Sequence, residues 1–178
     1  ITLAFGKKPL FKDVSLKFTP GNCYGIIGAN GAGKSTFLKI LAGEIEPQKG
    51  DVQISSKMRM AVLEQDQFKF DNDKVVDTVI MGHTDLYKLM KLRDELYSKT
   101  EFTEEEGMKM GEVEADFADM NGYEAEAEAG MLLSGLGVSE NLHNSLMKDL
   151  EAGEKIKVLL AQALFGSPDI LLLDEPTN

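Results

Sequence analysis

The chain has 178 residues, of which 43% are hydrophobic and 28% are charged. This length and composition fit a soluble domain with a hydrophobic core of its own. A membrane-spanning class is excluded by the sequence, because no apolar run approaches the roughly 18 residues of a transmembrane helix. The first residues do not form a basic and then apolar leader, and we therefore expect a cytoplasmic protein.

The formal net charge of −11 is concentrated in one segment. Residues 101–128 contain eleven acidic residues and one lysine, whereas the rest of the chain is nearly neutral. Such a segment is typical of a solvated helix surface, which would repel a nucleic acid backbone. The single cysteine, Cys23, excludes an internal disulfide and is expected to be a small core residue.

The first residues predict an antiparallel β lead-in. Residues 1–5 and 14–18 alternate as strands do, and turns are predicted at residues 6–9 and 19–22. Phe5 ends the first predicted strand. Its ring could stack on an adenine, although an aromatic residue in a strand is more often part of the core.

A glycine loop follows the lead-in. Residues 23–27 predict a strand, and the apolar residues of 37–41 recur at helical spacing. Between them, residues 28–36 match the phosphate-binding pattern G-x-x-x-x-G-K-[ST] at every fixed position. In such a loop the lysine contacts the β- and γ-phosphates and the serine hydroxyl binds Mg²⁺. The residues assigned to nucleotide binding are Gly28, Asn30, Gly31, Ala32, Gly33, Lys34, Ser35 and Thr36.

The middle of the chain changes from strand to helix. Residues 51–54 and 58–63 predict strands, and Gln65, just beyond the second, could contact Mg²⁺ or position a water molecule. Apolar stripes between residues 74 and 146 predict core-facing helices. We therefore expect a nucleotide-binding core over 1–73, a helical subdomain over 74–149, and a return to the core over 150–178.

The last residues predict a helix and a buried strand. The helix begins near residue 150 and is expected to bury Ile156, Leu159, Leu160, Ala163 and Leu164. The apolar run 170–173 is too short for a helix and precedes Asp174 and Glu175. Asp174 is expected to hold the metal, and Glu175 to deprotonate the attacking water. The alternative is an acidic turn without a catalytic role.

Together these segments resemble an ATP-binding cassette (ABC) domain over nearly the whole chain. The resemblance identifies Phe5 with the adenine-stacking position, residues 28–36 with Walker A, Gln65 with the Q-loop and residues 170–175 with Walker B. It implies an α/β P-loop NTPase fold, in which an antiparallel β lead-in and a mostly parallel core sheet carry a helical insert. The signature motif of the family falls at Leu150, Glu151, Ala152, Gly153 and Glu154.

Within the family, the chain resembles the first cassette of the ABC-F group. The residues that carry this resemblance are 19–25, 160–165, and 168–178 with their ending Asp-Glu-Pro-Thr-Asn. The group consists of soluble tandem-cassette ATPases that act on the ribosome. The resemblance therefore implies ATP and Mg²⁺ as ligands, a second cassette as partner, and the ribosome as target. Two alternatives are the ATPase subunit of a membrane transporter and a nucleotide-sensing module with little turnover.

The sequence departs from the family pattern in two ways. Glu151 stands where the family usually has a serine, which puts in doubt the ATP site that this signature would complete on a partner cassette. The chain also stops at Asn178, before the D-loop is complete and before the switch histidine, so we expect a C-terminally truncated piece of a longer protein. Because the family's site is composite, the lone chain is expected to bind ATP with almost no turnover.

Overall fold

The computed structural model describes residues 1–5, 8–99 and 103–175. The chain divides into two compact units, the first comprising residues 1–62 and the chain from 169 onward, the second residues 63–168. The second unit contains residues 63–73 and 150–168 together with residues 74–149. Within this unit, backbone hydrogen bonds join residues 71–76 to residues 143–148.

The first unit contains two pairs of short strands and one helix. Strands β1 (Leu3–Phe5) and β2 (Lys8–Phe11) are antiparallel, with Leu3 opposite Phe11. Strands β3 (Met60–Val62) and β4 (Ile170–Leu172) are parallel, and Val62 is opposite Leu172. Helix α1 spans Lys34–Leu41 and buries Phe37 and Ile40. The lead-in and the parallel pair agree with the predicted α/β class.

Three of the strands that the sequence predicts in the first unit do not form. Residues 14–18, 23–27 and 51–54 have no strand assignment, and residues 15–32 are exposed throughout. Ile27 is 97% exposed, and Cys23 is exposed instead of buried in a core. A strand needs a neighbouring strand for its backbone hydrogen bonds. Among the described residues, strands pair only as β1 with β2 and β3 with β4.

The second unit consists of helices around one core. Its helices are α2 (Val75–Ile80), α3 (Thr84–Tyr97), α4 (Glu104–Asp119), α5 (Ala125–Gly135) and α6 (Ala152–Leu164). No described helix combines the length and the apolar character needed to cross a membrane. The core includes Val75, Val79, Ile80, Leu86, Phe117, Ala125, Ala129, Leu133, Val138, Met147, Leu150, Val158, Ala161 and Phe165.

Helix α6 buries Leu159 and Ala163 as predicted, but the rest of its buried face differs from the prediction. Its buried residues include Lys155, Val158 and Gln162, whereas Ile156, Leu160 and Leu164 are only half-buried. The Gln162 side chain donates to the Thr78 carbonyl at 2.8 Å, and the Lys155 ammonium pairs with Asp71. These partners offset the cost of burying polar groups, which a hydrophobicity pattern does not predict.

The acidic segment is only partly a solvated surface. Thr103 and Glu106 form a capping box at the start of α4. Glu114 pairs with Arg93 of α3 at 2.7 Å and accepts a hydrogen bond from the Tyr123 hydroxyl. The hydrogen bond from Tyr123 is the main cause that lowers the pKa of Glu114. Some acids of this segment therefore stabilise the helical unit.

Candidate nucleotide-binding site

The glycine loop, residues 28–33, turns directly into α1. Gly31 has a φ of 79° and Gly33 a φ of 94°, a left-handed conformation that non-glycine residues rarely adopt. Gly33 is the N-cap of α1, and the helix begins at Lys34. The glycine loop followed by a helix is therefore confirmed.

The Lys34 side chain folds back over the loop. Its ammonium donates to the carbonyl oxygens of Gly28 at 2.9 Å and Ala29 at 3.1 Å. The Ala32 N–H also donates to the Ala29 carbonyl at 3.1 Å. These hydrogen bonds bend the loop and hold the Lys34 ammonium beside the loop carbonyls.

The start of α1 has the groups that bind an anion. Its N-cap residue is Gly33, which has no side chain to cap the N–H groups of the first turn, and such groups can bind a ligand instead. The helix dipole adds attraction for negative charge. The Ser35 residue is exposed, and its hydroxyl is of the type that binds Mg²⁺ in such loops. The residues present therefore fit a triphosphate with its metal ion.

Strand β2 supports the loop, a contact that the sequence patterns do not predict. A Cβ atom built on Gly33 would lie 2.8 Å from side-chain atoms of both Leu10 and Phe11. The Phe11 ring also contacts the Phe37 ring of α1 edge to face, with centroids 5.7 Å apart. Gly33 is therefore required both for its backbone conformation and for the close approach of β2.

The two carboxylates follow β4. The Asp169 carboxylate accepts from the Arg59 N–H at 2.8 Å, and the Asp169 N–H donates back to the Arg59 carbonyl at 2.9 Å. This exchange sets the register of β4 beside β3, and the chain then leads to Asp174 and Glu175. Glu175 has a φ of 46°, an uncommon conformation for a glutamate. Such backbone conformations concentrate at functional sites.

Phe5 ends β1, where its backbone is opposite Lys8. Its side chain lies outside the described residues, so adenine stacking stays a prediction.

Gln65 belongs to the second unit, and its backbone is bound by the side chain of Glu64. The Glu64 carboxylate accepts from the N–H groups of Gln65 at 3.1 Å and Asp66 at 3.2 Å, and it pairs with Lys69. Burial raises the pKa of Glu64, but the Lys69 and backbone hydrogen bonds outweigh it and lower that pKa. Glu64 is therefore ionised at neutral pH and holds the backbone of Gln65.

The signature segment also belongs to the second unit. Leu150 is buried, whereas Glu151, Ala152 and Gly153 are exposed at the start of α6. Glu151 is the N-cap residue of α6, and its N–H donates to the Glu154 carboxylate at 3.1 Å. The departure from serine thus places a carboxylate on an exposed helix start.

The sequence profile described as ABC transporter matches residues 11–178, which is most of the chain. The chain belongs to the ABC transporter family. It is therefore an ATP-binding cassette, as the glycine loop and the P-loop fold predict.

Relatives at different distances agree with this family. The chain is 59% identical to the ABC transporter ATP-binding protein YkpA of Bacillus subtilis, over 100% of the chain and 33% of that protein. It is 32% identical to the energy-dependent translational throttle protein EttA of Mycobacterium tuberculosis, over 98% of the chain and 31% of EttA. Identity to ABC transporter F family member 4 of Arabidopsis thaliana is 30%, over 96% of the chain and 24% of that protein.

The chain spans about a third of the length of YkpA and of EttA. Among solved structures, the ABC transporter cassette MJ1267 superimposes with a TM-score of 0.65. The two are 22% identical, and the match covers 99% of this chain and 66% of that one. This likeness shows the fold of an ABC cassette.

Proposed function

We propose that the chain is the ATP-binding and ATP-hydrolysing cassette of an ABC-F-type protein that acts on the ribosome in translation. The ATP-binding part of this proposal is supported by residues 28–33, in which left-handed glycines lead into the start of α1. This arrangement directs backbone N–H groups at one anion.

Each residue of the site has one proposed task. The Lys34 ammonium exchanges its carbonyl partners in the loop for the β- and γ-phosphates. The Ser35 hydroxyl, Asp174 and Gln65 would hold Mg²⁺, which supplies a counter-charge for the phosphates when bound. Glu175 accepts the proton of the attacking water, and the Phe5 ring stacks on the adenine.

The ribosomal part rests on relatives and on sequence details. The name of EttA associates that protein with translation, and one plant relative carries the F family name. Residues 174–178 read Asp-Glu-Pro-Thr-Asn, one of the cues for the ABC-F resemblance, where many transporters have serine or glycine after the threonine. These features favour a translation factor over a transport ATPase.

The test is co-sedimentation of the full-length protein with ribosomes. A Glu175→Gln variant is incubated with ATP and Mg²⁺ and centrifuged through sucrose, with the same variant lacking nucleotide as the control. We expect ribosome association only with ATP. Association with a membrane fraction instead would contradict the proposal and favour a membrane transporter subunit.

A nucleotide-sensing module is a second candidate, which Glu151 favours. Its carboxylate stands at the exposed start of α6, and in a composite site a negative charge there would repel a γ-phosphate. Phosphate release by the full-length protein separates the two candidates. Tight ATP binding without phosphate release would indicate sensing.

A further inference from the structure

Two segments of the helical unit that carry predicted site residues are joined by backbone hydrogen bonds. The chain after Gln65 lies antiparallel to the chain before the signature, with an isolated bridge between Lys74 and Leu146. The bonds run from Lys148 N–H to Asp71 O at 3.1 Å, Met147 N–H to Asp73 O at 2.9 Å, and Val75 N–H to Ser145 O at 3.0 Å.

Lys155 joins the same two segments through its side chain. It is the first residue after the signature, and its side chain is only 7% exposed. The ammonium pairs with the Asp71 carboxylate and lies 5.0 Å from the centroid of the Phe68 ring. Phe68 is held in turn by its N–H, which donates to the Asp66 carboxylate at 2.9 Å.

The energetics of this contact favour a positional role. An ammonium loses hydration when it is buried, and a partner of opposite charge roughly compensates for the loss. An apolar residue would pack at this position without that penalty. The ion pair instead fixes the position of the helix, because the lysine charge is compensated only when the first turn of α6 lies beside Asp71.

We propose that Lys155 is a positioning residue, which holds the first turn of α6 and the signature residues Leu150–Glu154 against segment 64–71. The consequence for catalysis rests on the proposed function, in which the signature completes an ATP site. The structural claim does not, because all of its contacts lie within the helical unit.

The test is amide hydrogen exchange in the full-length protein. The N–H groups of Glu154 and Lys155 both donate to the Glu151 carbonyl at 3.0 Å, so they report on the first turn of α6. In Lys155→Met and in Asp71→Asn we expect these two amides to exchange about tenfold faster or more, since each variant leaves one charge without its counter-charge. Lys157→Met is the matched control, because Lys157 is exposed and donates to Gly137 instead.

If the exchange rates of these two amides are unchanged in Asp71→Asn, the proposal is wrong. The Lys155 side chain would then act only through the packing of its methylene groups. If Lys155→Met does not fold, Asp71→Asn alone decides. The variants should also lower kcat for ATP at an unchanged KM, whereas Lys157→Met should not. A wild-type protein without ATPase activity would contradict the proposed function and leave the exchange result standing.

Discussion

The two units differ in how their elements gain hydrogen bonds. In the helical unit, the five α-helices that the structure describes form backbone hydrogen bonds within themselves and share one core that contains Val79, Ala129 and Leu133 at 0% exposure. In the first unit, residues 15–32 are exposed and the strands have only three or four residues. Helical bonds join residues close in sequence, whereas strands depend on distant partners. The nucleotide loop thus belongs to the less buried unit.

We therefore expect one unit to determine the nucleotide chemistry and the other to determine most of the stability. Substitutions at the loop or after β4 should change nucleotide chemistry with little effect on stability, whereas substitutions in the helical core should do the reverse.

The largest expected effect is that of Glu175→Gln on hydrolysis. The amide keeps the shape of the side chain but cannot accept the proton of the attacking water. Loss of a general base typically lowers the rate by about 10²–10⁴. Phosphate release by the full-length protein measures this, with Glu44→Gln, an exposed glutamate of the same unit, as control. Hydrolysis at the wild-type rate would assign the base to another residue.

A large effect on stability is expected from Leu133→Ala in α5. Leu133 is 0% exposed, and removal of a buried leucine side chain costs about 2–5 kcal/mol through lost burial and a cavity. Met131, on the same helix but 69% exposed, provides the control as Met131→Ala. Urea denaturation followed by circular dichroism measures both. Equal stability of the two variants would contradict the assignment of the core.

The sequence predicts the helical unit and the glycine loop better than it predicts the strands of the first unit. Residues 28–36 define their own turn through Gly31 and Gly33, and the helices are defined by local apolar spacing. Residues 14–18 alternate like a strand and residues 23–27 form a short apolar, β-branched run, yet strand pairing depends on partners that no local pattern identifies. The support of Gly33 by Leu10 and Phe11, and the burial of Lys155, were likewise unpredictable because each depends on a contact distant in sequence.

Lys34→Ala should weaken nucleotide binding in either the chain or the full-length protein. A hydrogen bond to a charged group contributes about 1.5–3 kcal/mol, so loss of the ammonium should reduce affinity roughly tenfold to more than a hundredfold. Titration calorimetry with ATP and Mg²⁺ measures this. Lys39→Ala, at an exposed position in the last turn of α1, is the control. ATP binding of equal strength in Lys34→Ala would refute the nucleotide site.

The smallest expected effect is a pH dependence at the start of α4, in the helical unit. The hydrogen bond from Lys99, followed by those from Thr103, lowers the pKa of Glu106 to about 2. Because this pKa lies below its unfolded value, the stabilisation is present above about pH 4.5 and is lost as the pH falls toward 2. Glu106 is close to solvent, so the loss should be smaller than that caused by Leu133→Ala.

Thermal unfolding followed at 222 nm, at pH 7 and pH 3, measures this dependence. Glu106→Gln should flatten the difference between the two pH values, because an amide can accept the capping hydrogen bond but does not titrate. Glu105→Gln, an exposed change in the same turn, should leave the difference as in the wild type. If both variants behave alike, the pH dependence arises from the general charge of the acidic segment, and the helical unit owes less to specific ion pairs than its contacts indicate.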